Sequence, residues 1–526
     1  MPKEPTPPNG EPLPDQSQRQ RSLATYLVML CTLASRLLGF VKIAVINAVF
    51  GAQGLADVLN ALFSIPNNLR KLMAEGALSS AFIPELNKHL ANNNKDAAKK
   101  LSRQILAFQY VVLVPLIILA IIFSPYVVRI FVRFPNPHEM LLAGVIFRYF
   151  MPYLLLVSIA AIFMAVLNSY NRFLVAALSP IAFSVIMIAV ILLTHQYLGP
   201  YSMALGVITG GFVQLLMQAI PYKRLGYYLL PNFAFNNPSF RAVLKHWLPV
   251  LITGSILAIN QQVAFFLASG LESGSASALA NAIVFFQLPY GIFSASVNTV
   301  YFPQMSREAE RGNHEALNDS LLSGLKLLLY LLMPAALIMS LLAREIISVA
   351  LMRGAFLPAN ALMAGRVLVG FCVGMFFVAA YNFIVRYYYS KKSFNMPLIS
   401  AALACGLDII LSLILITTPL RVAGLAYANS AAFFLAFIIL TTIARFKYGS
   451  LGLAKLTRDF IKVLIACLTA FGVYLALKQL LGVEWWQQSS SLATFGLLAI
   501  FGLTMSACIL IMYKLLKIKL IEGLRR

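Results

Sequence analysis

Charge is scarce in this chain. Of its 526 residues only 11% are Asp, Glu, Lys or Arg, against roughly 25% in a soluble globular protein. Acids are scarcer still, 18 against 41 Lys and Arg. The chain has five cysteines (Cys31, Cys372, Cys405, Cys467, Cys508), all inside apolar stretches and without paired spacing. That excludes a disulfide framework or a thiolate metal site and reads as small core residues. The five histidines are scattered, and no H-E-x-x-H, G-x-G-x-x-G or Walker sequence occurs. His314 and Asp319 match an H-x4-D spacing, but they sit in the charged run SREAERGNHEALND with no second motif nearby. Nothing therefore points to an enzyme, and no cofactor is expected.

What is abundant is apolar sequence. The chain is 60% hydrophobic, with a mean hydropathy of +0.82, and apolar runs of about 20 residues, the length that spans a bilayer as a helix, recur throughout. The expected fold class is an all-α polytopic membrane protein of about 14 transmembrane helices, at roughly 23–50, 55–78, 105–132, 140–168, 173–194, 201–221, 247–270, 277–302, 320–342, 361–388, 396–418, 421–445, 459–481 and 491–514. The net charge of +23 resides mostly in short loops on alternate sides, such as Lys88–Arg103, Lys223–Lys245, Lys391–Lys392 and Arg445–Arg458. GAQG, THQYLGPY and SGLESGSAS lack Lys and Arg. That asymmetry is the positive-inside pattern, so a nucleic-acid partner is not expected and both termini are placed in the cytoplasm. Arg129, Arg133, Arg344 and Arg353 are exceptions.

Two halves echo each other. Pro66 and Pro289 each follow an Asn-Ala-aliphatic run, Tyr170…Pro180 recurs as Tyr387…Pro397, and PYSMALG at Pro200 recurs as PLRVAGL at Pro419. The offsets (289−66, 397−180 and 419−200) are 223, 217 and 219. This predicts a duplicated six-helix unit: a disordered Pro-rich tail at 1–22, an N-lobe at 23–225, an interfacial linker helix at 226–246, a C-lobe at 247–446, and two further spans with a basic tail at 447–526. Such repeats are common in transporters, with the substrate site at their interface.

The first hairpin carries cations where hydrocarbon is expected. Arg36 and Lys42 lie in SRLLGFVK, Arg70 and Lys71 in IPNNLRKLMAEGA, and Arg148 lies further on; the nearby acids are Asp57 and Glu75. A cation at bilayer depth costs ~2.5–3.5 kcal/mol on insertion scales and normally faces a bundle interior. A cavity with this balance selects an anion, and phosphate suits the forked donors of arginine. Arg36 and Lys42 lie about 120° apart on a straight helix; a bend at Gly39 would bring both to one cavity. The competing reading is that Lys42, Arg70 and Lys71 merely snorkel to an interface.

The stretch SRLLGFVKIAVINAVFGAQGLADVLNALFSIPNNLRKLMAEGALSSAFIPEL, with YNRFLVAALSP, RGAF at 353–356 and PLRVAGL, resembles the MurJ/MviN lipid II flippases of the MOP exporter superfamily. The resemblance implies flipping of undecaprenyl-pyrophosphate-linked peptidoglycan precursor across the bacterial cytoplasmic membrane by alternating access. Lipid II and membrane lipids would be the partners, with cell-wall synthesis proteins as further candidates. It assigns substrate binding to Arg36, Lys42 and Arg70, and gating or charge pairing to Asp57 and Glu75, with Gly39 and Pro66 shaping the helices. Three family positions differ: an acid is replaced by Ile43, a basic residue by Val284 and an acid by Ala264. Asp408, with Asn429 as a neutral partner, is what remains of a monovalent-cation site known in some relatives; a lone Asp there is otherwise a hydrogen-bonded helix contact. Another lipid-linked oligosaccharide flippase, or a non-transporting cell-wall scaffold, is the alternative. A drug antiporter would place acids in the cavity.

Overall fold

Asparagines and prolines set where the helices begin. Asn94, Asn136, Asn237 and Asn313 each accept a hydrogen bond from a backbone N–H two or three residues on, which satisfies a donor the first helical turn leaves open. Pro137 and Pro238 then occupy first-turn positions, where a missing N–H costs nothing. A computed structural model describes residues 18–70, 77–481 and 491–518. Its helices are α1 (Gln18–Phe50), α2 (Leu55–Arg70), α3 (Ala77–Ala91), α4 (Lys95–Ile122), α5 (Ser124–Phe131), α6 (Pro137–Ser169), α7 (Phe173–Leu198), α8 (Tyr201–Arg224), α9 (Pro238–Ser269), α10 (Ser275–Glu310), α11 (His314–Leu341), α12 (Ala343–Leu351), α13 (Pro358–Ser390), α14 (Asn395–Leu415), α15 (Val422–Tyr448), α16 (Leu453–Leu481) and α17 (Ser491–Leu515). No strand occurs among the described residues.

Eleven of these helices are long and apolar enough to cross a membrane, so the protein is an all-helical polytopic membrane protein. The other three positions expected as spans fall on α1, α2 and α9; α2 has 16 residues, and the apolar part of α9 is Gly254–Ser269. By length and composition eleven spans are counted among the described residues, and the expected count of fourteen is not confirmed.

α1 packs on α7, α2 on α6, and α6 and α7 on α8; in the second half α13 packs on α10, α11 and α15, and α14 on α15. The same small residue closes the equivalent helix pair in each half. A Cβ on Gly206 of α8 would stand 3.0 Å from the Met187 carbonyl oxygen of α7, and one on Gly424 of α15 would stand 2.8 Å from that of Leu415 in α14. Close backbone approach at glycine is how membrane helices associate without a hydrophobic drive.

Residues 226–246 do not form a separate helix. Residues 227–237 are non-helical, and from Pro238 the chain is already α9. The irregular part is tied to α4: Arg103 donates to the Leu230 carbonyl, the Asn232 N–H donates to the Arg103 carbonyl, and Asn237 donates to Gln104. Those bonds replace the ones a helix would make internally. Tyr222, Tyr227, Phe240 and Val243 then join Phe82, Leu101 and Phe163 in a second apolar core. Burial there pushes the Tyr227 phenol above its ordinary pKa, with the contact to the Tyr170 hydroxyl adding to the rise. The first turns of α9 thus pack on α3 and α4, and its later part on α14 and α2.

α16 packs on α11, and α17 on α16. Lys326 pairs with Asp459 at 2.7 Å, Tyr330 donates to the same carboxylate, and Tyr513 donates to the Tyr330 carbonyl.

Candidate functional site

The polar residues of α1, α2, α9 and α10 converge on one cavity of about 280 Å³ at the seam between the halves. Arg36, Gly39 and Lys42 line it from α1, Asn60, Ser64, Asn67 and Asn68 from α2, Gln261 from α9, and Val284 and Gln287 from α10. Arg36 and Lys42 therefore reach one space although α1 runs unbroken through Gly39. The cavity is wide enough to receive side chains from both faces. A Cβ on Gly39 would meet nothing within 4 Å, so no neighbour requires a glycine at that position.

Lys42 places its ammonium 5.2 Å from the Phe63 ring centroid and 5.6 Å from that of Phe183. The ring faces supply cation–π attraction. Arg36 donates to the Gln287 carbonyl oxygen at 3.3 Å. Among the described residues neither cation forms an ion pair. The surrounding amides offer donors and acceptors but no compensating charge, so the cavity is electropositive.

The other expected cations lie elsewhere. Arg70 is not among the residues lining the cavity; its guanidinium donates to Asn67 Oδ1 at 3.2 Å, and Asn67 lines the wall. Arg148 is exposed and donates to Ser124 at 2.6 Å. Lys71 and Glu75 lie outside the described residues, so the expected pairing of Glu75 is not placed.

Toward the GAQG turn the cavity is closed by bonds across the seam. Asp57, 4% exposed, accepts from the backbone N–H groups of Gly274 and Ser277, the latter at 2.7 Å. Rather than pairing with a cation, this carboxylate caps the N-terminus of α10, where the helix dipole favours negative charge. Asn60 donates to Ser277 at 3.1 Å, Gly54 N–H to Ser273 at 3.0 Å, and Asn47 to Asn281 at 2.7 Å. Asn281 thus belongs to the seal and not to the anion-facing wall. Nearby, the Ala355 N–H donates to the Ala48 carbonyl, which brings RGAF onto the end of α1. Pro66 lies inside α2, two residues before Asn68, whose side chain contacts Gln262.

Asp408, on α14, is not among the residues lining this cavity. It accepts from Asn260 of α9 at 2.6 Å, from Asn429 of α15 at 2.7 Å and from Ser412 at 3.3 Å. The partner on α9 is Asn260, one turn before Ala264; a neutral amide in an apolar run gave no charge signal to find it by. Among the described residues no group of three or more His, Cys, Asp or Glu could hold a metal.

A two-halved helical bundle with an electropositive cavity at the seam, sealed at one end, defines a membrane transporter for an anionic substrate. The fold agrees: a solved lipid II flippase MurJ in an inward closed conformation superimposes with a TM-score of 0.77 at 24% identity, over 95% of this chain and all of that one. An inward-facing multidrug resistance MATE transporter of the MOP superfamily follows, with a TM-score of 0.68 at 12% identity over 82% of this chain and 98% of its own. The family model described as Lipid II flippase MurJ matches residues 46–496, and the chain belongs to that family. A probable lipid II flippase MurJ of Borreliella burgdorferi is 35% identical over 86% of this chain and 89% of its own length; one of Buchnera aphidicola from Acyrthosiphon pisum is 30% identical over 79% and 82%.

Proposed function

We propose that this protein flips lipid II, the undecaprenyl-pyrophosphate-linked peptidoglycan precursor, from the inner to the outer leaflet of the bacterial cytoplasmic membrane. The observation that carries the reading is the pair of cations, Arg36 and Lys42, facing one cavity at the seam with no carboxylate partner among the described residues. Two cations suit a pyrophosphate: one gives a forked pair of donors, the other a point charge. Arg70 takes part from the edge through Asn67. The amides of Asn60, Asn68, Gln261 and Gln287 can hydrogen-bond a sugar-peptide head group, while the isoprenoid tail stays in hydrocarbon. No covalent bond changes, so the work is transport and not catalysis.

The basic ends of α3, α8, α13 and α15 face the cytoplasm with both termini, and the GAQG turn faces outward. Residues 23–225 and 247–446 act as two lobes that rock about the seam. The structure then corresponds to the state sealed on the outside by Asp57, Asn60 and Asn47. Asp408, Asn260, Asn429 and Ser412 bring one carboxylate, two amides and a hydroxyl together. With the amide oxygens turned inward this donor set suits a hard monovalent cation such as sodium, which would bias the C-lobe. Cell-wall synthesis proteins are candidate partners on the outer face.

The test is to deplete the protein and ask on which leaflet the lipid-linked precursor accumulates. The reading requires accumulation on the cytoplasmic leaflet, reproduced by Arg36→Ala. Normal flipping and growth with both Arg36→Ala and Arg70→Ala proteins would refute it.

A further inference from the structure

Three contacts between α1 and α10 form an antiparallel ladder across the seam. Asn47 bonds Asn281 at 2.7 Å. One step along, Phe40 packs edge-on against Phe285 at 5.3 Å between centroids. The last rung is Arg36, donating to the Gln287 carbonyl at 3.3 Å. The rungs descend α1 over ~16 Å as they ascend α10 over ~9 Å, at 1.5 Å per residue, the long Arg36 side chain spanning the difference.

The last rung depends on a missing side chain. A Cβ built on Gly291 would overlap the Arg36 guanidinium, standing 2.8 Å from Cζ and 2.9 Å from Nη2. The guanidinium therefore occupies, Nη1 foremost, a notch that only glycine leaves on α10. Gly291 sits in mid-helix, where glycine costs roughly 0.5–1 kcal/mol relative to alanine; Gly39, also in mid-helix, faces open space. The overlap falls on the far end of a flexible side chain, so a methyl group at 291 would displace the arginine and leave the backbone in place.

We infer that Gly291 is a positioning residue: its notch docks Arg36 on α10 in the substrate-free transporter, and a phosphate group entering the cavity takes the guanidinium off the Gln287 carbonyl and so unlocks the last rung between the lobes. This rests on Arg36 being a ligand of the lipid pyrophosphate. A neutral carbonyl at 3.3 Å is a weak acceptor, whereas a phosphate offers charged oxygens in a forked geometry. Docking also lowers the apparent affinity by the fraction of protein in which Arg36 is already free.

The experiment uses full-length protein in lipid nanodiscs, with native cysteines replaced and spin labels at Leu30 and Ser296, both exposed beyond the last rung. Without ligand, Gly291→Ala is expected to broaden or lengthen the label separation, as is Arg36→Ala. Arg36→Lys should do the same, because it keeps the charge without the planar group that fills the notch; it also serves if Gly291→Ala does not fold. Undecaprenyl pyrophosphate added to wild type should produce the same change, and undecaprenol should not. In binding, the two sites should act with opposite sign. Arg36→Ala weakens undecaprenyl pyrophosphate about 30-fold or more, while Gly291→Ala tightens it about three- to tenfold by removing the competing dock. In the Arg36→Ala background Gly291→Ala should be silent. A merely structural glycine would weaken binding with an unchanged separation, and that result overturns the inference. Failure of wild type to bind undecaprenyl pyrophosphate would overturn the functional reading and the exchange with it, while the ligand-free separations would still report whether the notch docks Arg36.

Discussion

Replacing Asp57 by alanine should open the GAQG end of the cavity. Its carboxylate holds the N–H groups of Gly274 and Ser277 in a site 4% exposed. A hydrogen bond to a charged group contributes ~1.5–3 kcal/mol, and removal leaves two buried donors to be resatisfied. Allowing for water entering the space, ~3 kcal/mol of the seal is lost, a shift of about two orders of magnitude in the equilibrium between sealed and open states. Asp57→Asn keeps an accepting oxygen and loses the charge–dipole term, worth ~1 kcal/mol, so it should shift the equilibrium about fivefold. The assay is the rate at which a membrane-impermeant thiol reagent, applied from the GAQG side, labels Ile46→Cys in a protein otherwise free of cysteine. Ile46 lines the cavity and is 2% exposed. The rates should rise in the order wild type, Asn, Ala. Equal rates in all three would refute the idea that Asp57 holds the seal.

Gly39→Ala should leave transport within about twofold of wild type, since its Cβ meets open space and alanine favours a helix by ~0.5–1 kcal/mol; a null phenotype would show that transport does require a glycine there. Sodium should raise the melting temperature of wild type but not of Asp408→Ala, measured against potassium; an equal rise in both would leave Asp408 as a hydrogen-bonded helix contact. Asp459→Asn breaks the pair with Lys326, which is 26% exposed, and should cost ~1–2 kcal/mol after discounting for solvent. That is readable as a lower unfolding temperature than Thr457→Ala, which trims an exposed side chain bonded only within its own helix, to the Leu453 carbonyl.

Much of this arrangement was legible in the sequence because hydrocarbon makes charge conspicuous. Arg36 and Lys42 stand out in an apolar run, and both line the cavity. Arg70 stands out equally, but pattern alone could not tell that Asn67 takes the wall position and Arg70 holds it from the edge. The repeat offset near 220 carried more than fold information. Four of the bonds that seal the seam join residues 217 to 220 apart: Asp57 to Gly274 and Ser277, Asn60 to Ser277, and Gly54 to Ser273. Equivalent positions meet where two similar halves face each other about an axis. What stayed hidden was capping at a distance, because an N-cap is ordinarily read from the residues just before its own helix. Neutral partners such as Asn260 and a functional absence such as Gly291 carry no charge to mark them. The segment at 226–246 read as an interfacial helix by composition, yet bonds to Arg103 and Gln104 hold its first part irregular.

The central claim is that Arg36 and Lys42 bind a lipid-linked pyrophosphate. Its most direct test is the affinity of the nanodisc-embedded protein for undecaprenyl pyrophosphate, measured for wild type, Arg36→Ala and Lys42→Ala beside undecaprenyl monophosphate. Each substitution strips a desolvated charge from an anion and should cost ~2–5 kcal/mol, about 30-fold or more, and wild type should prefer the pyrophosphate. Unchanged affinity in both variants, or no preference for the second phosphate, would contradict the account.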